Sequence, residues 1–264
     1  MRYSIFAVAA TVLLTAPAWA QENVGTLPQK RADGEEVNNG TNPTLLSTIA
    51  GIQYTYNDFA NSSLSSGLWE AYVAVPFGSR KQFQVTLNAP YADSALDSDF
   101  GLGDVSLKFT HVVDVNASNG IAYTVELFLD TADRPDLGNG QEVLEFSAFY
   151  AKFLPEGSIV APALVQTVGL DGKGSNGQKI NRTTFDFYYV PKLANPKFYM
   201  TFDPNVTYEW ETDKAFASLQ VTLGMLTGKV AGGDSQIYIQ PGIYAGADRP
   251  LDFSIQVGFK VLGF

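Results

Sequence analysis

From residue 43 to the end of the chain, apolar and polar side chains change places at nearly every step. The alternation runs over segments of roughly 10 to 13 residues, separated by clusters of Gly, Asn, Asp, Ser and Pro. In 197–210 one face collects Phe198, Met200, Phe202, Pro204, Val206, Tyr208 and Trp210. The other collects Lys197, Tyr199, Thr201, Asp203, Asn205, Thr207 and Glu209. In 104–113, Val105, Leu107, Phe109, His111 and Val113 oppose Asp104, Ser106, Lys108 and Thr110, and 121–130 and 251–261 repeat the pattern. Successive side chains of a strand point to opposite faces, so each segment has one oily and one wet face. A helix would need a period of about 3.6 residues, and no long stretch has one.

Twelve strands are predicted, over 43–58, 67–77, 82–92, 102–114, 121–131, 143–154, 158–170, 181–193, 197–210, 215–227, 235–246 and 251–264. Connections 78–81, 116–120, 155–157 and 194–196 are tight, whereas 93–101, 132–142 and 171–180 are long and rich in Gly and Asp. An even strand count, short turns beside the termini and longer loops opposite are the pattern of bacterial outer-membrane barrels. Three connections fit it less well: 211–214 and 247–250 are short for outer loops, and 228–234 is long for an inner turn. Strand length argues against a secreted β-sandwich, since soluble strands cluster near about 5–6 residues and tilted spanning ones need about 9–11. The fold expected over 43–264 is all-β, an antiparallel transmembrane β-barrel of about 12 strands.

The wet faces then become a lumen. By parity the inward acids are Glu70, Asp104, Asp114, Glu126, Asp130, Asp186, Asp203, Glu209 and Asp252, against Lys108, Arg182, Lys192, Lys197 and Lys260. The first and sixth strands are left out, because their parity is ambiguous. A Lys or Arg facing lipid at mid-depth costs about 2–4 kcal/mol, so these charges face water, one another or a plug. The acid excess favours cations over anions. Register brings Lys108 beside Glu126 as a cross-strand ion pair. If the eighth and ninth strands pair about Ala194 and Asn195, Asp186 stands opposite Asp203, a place for a shared proton, a bound cation or a neighbouring lysine. The lumen-lining candidates are Lys108, Glu126, Asp186, Tyr188, Asp203, Gln220, Gln240 and Gln256.

Composition narrows the chemistry. The 264 residues carry a net charge of −10, or −11 without Arg2, which argues against a nucleic-acid partner. No cysteine means no disulfide scaffold, thiolate zinc site or Cys nucleophile. No later stretch approaches about eighteen continuous apolar residues, so the protein does not span a membrane by helices. Arg2, the apolar run 5–14 and Ala18-Trp19-Ala20 predict a secretory signal peptide over 1–20, cleaved before Gln21. Residues 21–42 are polar and rich in Gly and Asn, a flexible lead-in or a luminal plug.

His111 is the single histidine and the candidate for catalysis. Outer-membrane phospholipases and lipid A deacylases pair a His with a nearby Ser on the lipid face at outer-leaflet depth. His111 faces lipid by parity but lies near an inner turn, between Thr110 and Val112, without an H-x-S arrangement. Outer-membrane proteases need a His at the extracellular end. No catalytic residue, metal site or cofactor is therefore expected. Aromatic girdles are expected, with Trp69 and Trp210 at the outer rim and Phe77, Phe83, Phe153 and Phe198 at the inner rim. The terminal Phe264 resembles the signal read by the barrel assembly machinery. Val257, Phe259 and Val261 are in odd register and Leu262 and Phe264 in even, which implies a bulge or slip near Gly263.

Gly101-Leu102-Gly103-Asp104-Val105 opens the fourth strand. Glu126-Leu127-Phe128-Leu129-Asp130-Thr131-Ala132 ends the fifth, followed by Leu137-Gly138-Asn139-Gly140. With these segments, most of 45–264 resembles the bacterial outer-membrane transporter family of the phenol-degradation meta-pathway, which usually shows Pro where Asp130 stands. The resemblance implies an outer-membrane channel for small molecules, with hydrophobic or aromatic compounds as cargo. The Gly-x-Gly-Asp segment is no dinucleotide site, because a strand follows it where a helix N-terminus would be needed.

The reading is a passive channel or transporter for small-molecule solutes in the outer membrane, without catalysis. Its partners are outer-membrane lipids, the barrel assembly machinery and the solutes themselves, with no nucleic acid. The rival readings are an outer-membrane enzyme acting on lipid or peptide, and a structural barrel without transport.

Overall fold

The computed structural model describes residues 29–30, 36–37, 39–78, 81–95, 99–170, 173–174, 177 and 179–264. The leader expected over 1–20, and most of 21–42, lie outside the described residues. Twelve long strands follow one another: β1 Ile49–Phe59, β2 Ser65–Phe77, β3 Phe83–Asp93, β4 Ser106–Val115, β5 Asn119–Phe128 and β6 Val143–Phe153. Then come β7 Ile159–Gly169, β8 Asn181–Val190, β9 Phe198–Glu209, β10 Lys214–Val230, β11 Gly233–Ala245 and β12 Leu251–Leu262. A three-residue strand, Phe100–Leu102, adds to β3 ahead of β4, and Gln29–Lys30 pairs with Glu36–Val37 upstream.

Each long strand pairs antiparallel with its sequence neighbours, and β12 pairs back onto β1 from Leu251 beside Phe59 to Leu262 beside Ile49. The ring is closed, so the long strands leave no free edge. The end carrying the short connections and the C-terminus is called the turn end below, and the opposite one the loop end. Alternation sorts the side chains as a membrane demands. Val73, Val75, Leu107, Leu164, Phe185, Val206, Leu223, Ile239, Ile243 and Val257 stand exposed outside, while Gln84, Thr86, Ser147, Asp186, Thr201 and Gln236 are buried inside. An apolar belt of this extent on a closed barrel seats the protein in the outer membrane.

Glycines let bulky rings lie flat against the inner wall. Gly51, Gly224 and Gly258 stand directly opposite Tyr72, Tyr199 and Tyr238 on the next strand. Each ring fills the place of the missing Cβ.

Four expectations are corrected. The connection at 228–234 is a tight turn: β10 runs on to Val230, β11 begins at Gly233, and Ala231 (φ 50°) and Gly232 (φ 87°) turn between them. Two left-handed residues in succession match the twist of a two-residue hairpin. Asp114 does not face the lumen, because a bulge after Val112 sets it opposite the outward Ile121. Phe153 turns inward among Ile159, Ala161, Tyr188 and Val190 and leaves the inner girdle to Phe77, Phe83 and Phe198. Finally, β12 keeps its register through Leu262, which points inward against Ile49, Tyr72 and Ala74. The chain leaves the strand at Gly263 through a left-handed turn (φ 71°) rather than a slip.

Candidate functional site

The interior has three levels, and the middle one is a belt of hydrogen-bonded polar groups. Lys108 and Glu126 are direct cross-strand partners, with the ammonium 3.3 Å from Glu126 Oε2 and Lys108 only 2% exposed. Ser106 Oγ and Asn88 Nδ2 donate to Glu126 Oε1 at 2.5 and 3.0 Å. Glu126 stands opposite Glu145, Glu145 opposite Thr167, and Thr167 opposite Arg182. Thr167 donates to Glu145 at 3.0 Å, and Arg182 pairs with Glu209 at 3.5 Å. Two acids side by side are tolerable here because Lys108 flanks them on one side and Arg182 on the other.

Asp186 stands opposite Asn205 and Asp203 opposite Gln220, so the two acids are offset by one pair rather than directly opposed. Their carboxyl groups nevertheless meet. Ionised carboxylates only accept hydrogen bonds, so two of them this close can be relieved by a shared proton or a bound cation.

The wall formed by β10, β11, β12 and β1 is built from amides and hydroxyls at the same height. Gln240 donates to Gln220 at 2.9 Å and stands directly opposite Gln256. Tyr238 donates to Gln53 at 2.6 Å, and Gln53 donates to Glu70 at 2.8 Å. All eight lumen candidates from the sequence thus turn inward and are buried, Tyr188 among apolar neighbours. Seven of them fall into three sets, Lys108 with Glu126, Asp186 with Asp203, and the three glutamines, and Tyr188 stands in the apolar cluster at the turn end. Sequence reasoning missed Glu145. Its strand carries apolar residues on both faces and polar ones on both as well, Glu145 and Ser147 inward and Lys152 outward, so alternation does not say which face is inward.

The turn end is apolar inside. Ala151, Phe153, Ile159, Ala161, Tyr188 and Val190 form one cluster, and Ile49, Tyr72, Ala74 and Leu262 another. Residues 39–48 run through this collar. Leu46, 4% exposed, packs on Val112, Ala122, Phe149 and Ala163. Gln84 donates to the Ser47 carbonyl at 2.7 Å and Gln236 to the Asn39 carbonyl at 3.2 Å. Asn39 and Asn42 each accept from the amide and hydroxyl of the threonine two residues on, which sets the segment's turns. Thr41 sits among Tyr188, Tyr199, Thr201, Thr222, Tyr238 and Lys260.

At the loop end, Asp104 joins two loops. Its Oδ1 accepts from the amides of Thr131 and Ala132, and its Oδ2 from the amide and side chain of Asn139. Burial pushes the Asp104 carboxyl up from its ordinary value, and the three amides pull against that shift.

His111 belongs to an outward aromatic patch. It stacks on Phe83 at 4.5 Å and meets Tyr123 edge-on at 5.2 Å, and the patch runs on to Phe77, Phe109 and Phe146. Trp69 and Trp210 are exposed at the loop end, Trp210 donating to Thr183 at 2.9 Å. Among the described residues no group of three or more His, Asp or Glu side chains could hold a metal ion.

No family model and no curated protein matches the sequence. Solved structures do share its fold. An outer membrane channel from Pseudomonas putida F1 superposes with a TM-score of 0.66 at 17% identity, covering 86% of this chain and all of that one. The NanC porin gives 0.58 at 10% identity, over 81% of this chain and 100% of that chain. The KdgM porin gives 0.55 at 11%, over 81% and 98%. The fold is therefore that of outer-membrane channel and porin barrels.

Proposed function

We propose that the protein is a passive outer-membrane channel for small solutes, closed at its turn end by residues 39–48. The observation that carries this reading is the polar belt inside a closed, apolar-jacketed barrel, with Leu46 of the same chain seated in the collar below it. Lys108, Glu126, Asp186, Tyr188, Asp203, Gln220, Gln240 and Gln256 line the path. The paired acids Asp186 and Asp203, with Glu145, favour cations over anions.

A cargo of small hydrophobic or aromatic compounds, as the meta-pathway resemblance implies, is the second reading. The rings of Tyr188, Tyr199 and Tyr238 around Thr41 favour it, because withdrawing the segment would expose them to the lumen.

The test is planar-bilayer conductance and liposome swelling of the full chain and of a variant lacking residues 21–46. The variant is expected to conduct with potassium preferred over chloride, and the full chain to conduct little. Silence from both proteins in a correctly folded barrel would sink the channel reading, and chloride preference would sink the cation reading. Swelling with phenol but not with a sugar of similar size would favour the aromatic cargo.

A further inference from the structure

The three sequence segments that carry the family resemblance meet at one buried carboxylate. Asp104, 1% exposed, closes Gly101-Leu102-Gly103-Asp104, and all four of its donors lie in the 129–142 loop: Thr131 N at 3.2 Å, Ala132 N at 3.1 Å, Asn139 N at 2.6 Å and Asn139 Nδ2 at 3.0 Å. The seam continues on either side. Val105 N donates to Thr131 Oγ1 at 2.9 Å, and Leu102 N donates to Asp133 Oδ2 at 2.7 Å. Glycines bring the surfaces together, since a Cβ on Gly138 would stand 2.5 Å from Asp104 Oδ1 and one on Gly101 would stand 2.6 Å from Leu137. Arg134 is engaged elsewhere, with the Asp99 carbonyl and Asp136.

The clamp has a consequence beyond the loop itself. Leu137, Asn139 and Gln141 are buried, and Gln141 lies over Gly169, an inward position at the loop end of β7. The 129–142 loop therefore lies along the inside of the rim, from Gly101 beside β3 to β7, where Gly169 pairs with Val143 at the loop's end. Four donors on one ionised acceptor make a charge-assisted anchor that a neutral side chain cannot reproduce.

We propose that Asp104 is the positioning residue of the loop-end mouth: it holds residues 137–141 inward and so sets the width of the opening. The proposal rests on the channel reading only for its effect on conductance. Asp104→Asn keeps the shape but turns an NH₂ toward donors, and Gly138→Ala pushes the carboxylate from the other side. The chain has no cysteine, so Leu137→Cys can be introduced alone and its maleimide reactivity followed in detergent micelles.

In native sequence Leu137→Cys is expected to react slowly. With Asp104→Asn or Gly138→Ala it reacts about tenfold faster, as the loss of hydrogen bonds to a charged acceptor implies. In the variant lacking residues 21–46, either change raises single-channel conductance, and heat-modifiability on gels shows the barrel intact. Should both variants fail to assemble, Asn139→Ala, which leaves the carboxylate in place, supplies the same two readouts. Unchanged labelling and conductance in folded variants overturn the proposal. Absent conductance with faster labelling keeps the clamp and overturns the channel reading instead.

Discussion

The turn end and the middle of the barrel solve opposite problems with the same alternating strands. At the turn end the inward positions are mostly apolar, Ile49, Ala74, Val112, Ala122, Phe149, Ala151, Ile159 and Leu262 among them. Leu46 completes an apolar core, and Gln84 and Gln236 tie its segment down by backbone carbonyls. In the middle the inward positions are Lys108, Glu126, Glu145, Arg182, Gln220, Gln240 and Gln256, each meeting a partner across the sheet. The first region is held by burial, which has no direction and tolerates exchange of one hydrocarbon for another. The second is held by named pairs, in which each loss leaves a group stranded. The two should therefore fail in different ways: damage to the collar loosens one segment, and damage to the belt costs the whole barrel.

The sharpest way to break this contrast is at Lys108. Lys108→Met leaves Glu126 and Glu145 side by side with one flanking cation gone. Breaking a buried pair from one side costs about 3 kcal/mol or more, so the thermal unfolding midpoint in detergent should fall clearly. Lys108→Met with Glu126→Leu should recover most of the loss, because the stranded charge goes with its partner. A single variant as stable as the native chain would mean that lumen water already screens the belt, and the distinction between the regions would collapse.

Leu46→Ala tests the other side. Removing the buried branch costs about 2–3 kcal/mol, and that cost falls on the docking of residues 39–48 rather than on the strand ladder. Protease sensitivity or hydrogen exchange in 39–48 should rise while the barrel's unfolding midpoint stays within error. A fall in that midpoint equal to the Lys108→Met fall would show that collar and barrel are one cooperative unit.

The same contrast explains what the sequence discloses. The twelve predicted strands match the twelve long strands in order, but the first was expected from residue 43 and β1 begins at Ile49, with 43–48 in the collar segment instead. Both β7 and β6 turn apolar residues toward the collar, and β6 shows best what that hides. Its inward Val143, Phe149, Ala151 and Phe153 meet the collar, so both faces carry apolar residues, parity is silent, and Glu145 is hidden. The inward turn of Phe153 went unread for the same reason. The turn at Ala231 and Gly232 is masked by a run of small and polar residues, although sheet pairing continues through Val230 and Gly233. Offsets of one pair, as between Asp186 and Asp203, depend on the length taken up by the turn between their strands, which alternation does not encode. The Asp104 clamp joins residues 35 positions apart, and no periodicity points from one to the other.

The smallest expected effect lies at Gln240, and it separates the belt's two walls. Gln240 Nε2 donates to Gln220 Oε1, and Gln256 stands opposite. Gln240→Leu keeps the volume and removes one neutral hydrogen bond, a loss of about 1 kcal/mol. No charge is stranded, and Gln220 can turn its carbonyl to lumen water, so the cost stays well under that of Lys108→Met. The potassium-to-chloride permeability ratio of the variant lacking residues 21–46 should be unchanged by Gln240→Leu and shifted by Lys108→Met, since only the second alters the fixed charge along the path. A permeability ratio that moves with Gln240 would place the selective wall on β10–β12 and remove the charged belt from that role.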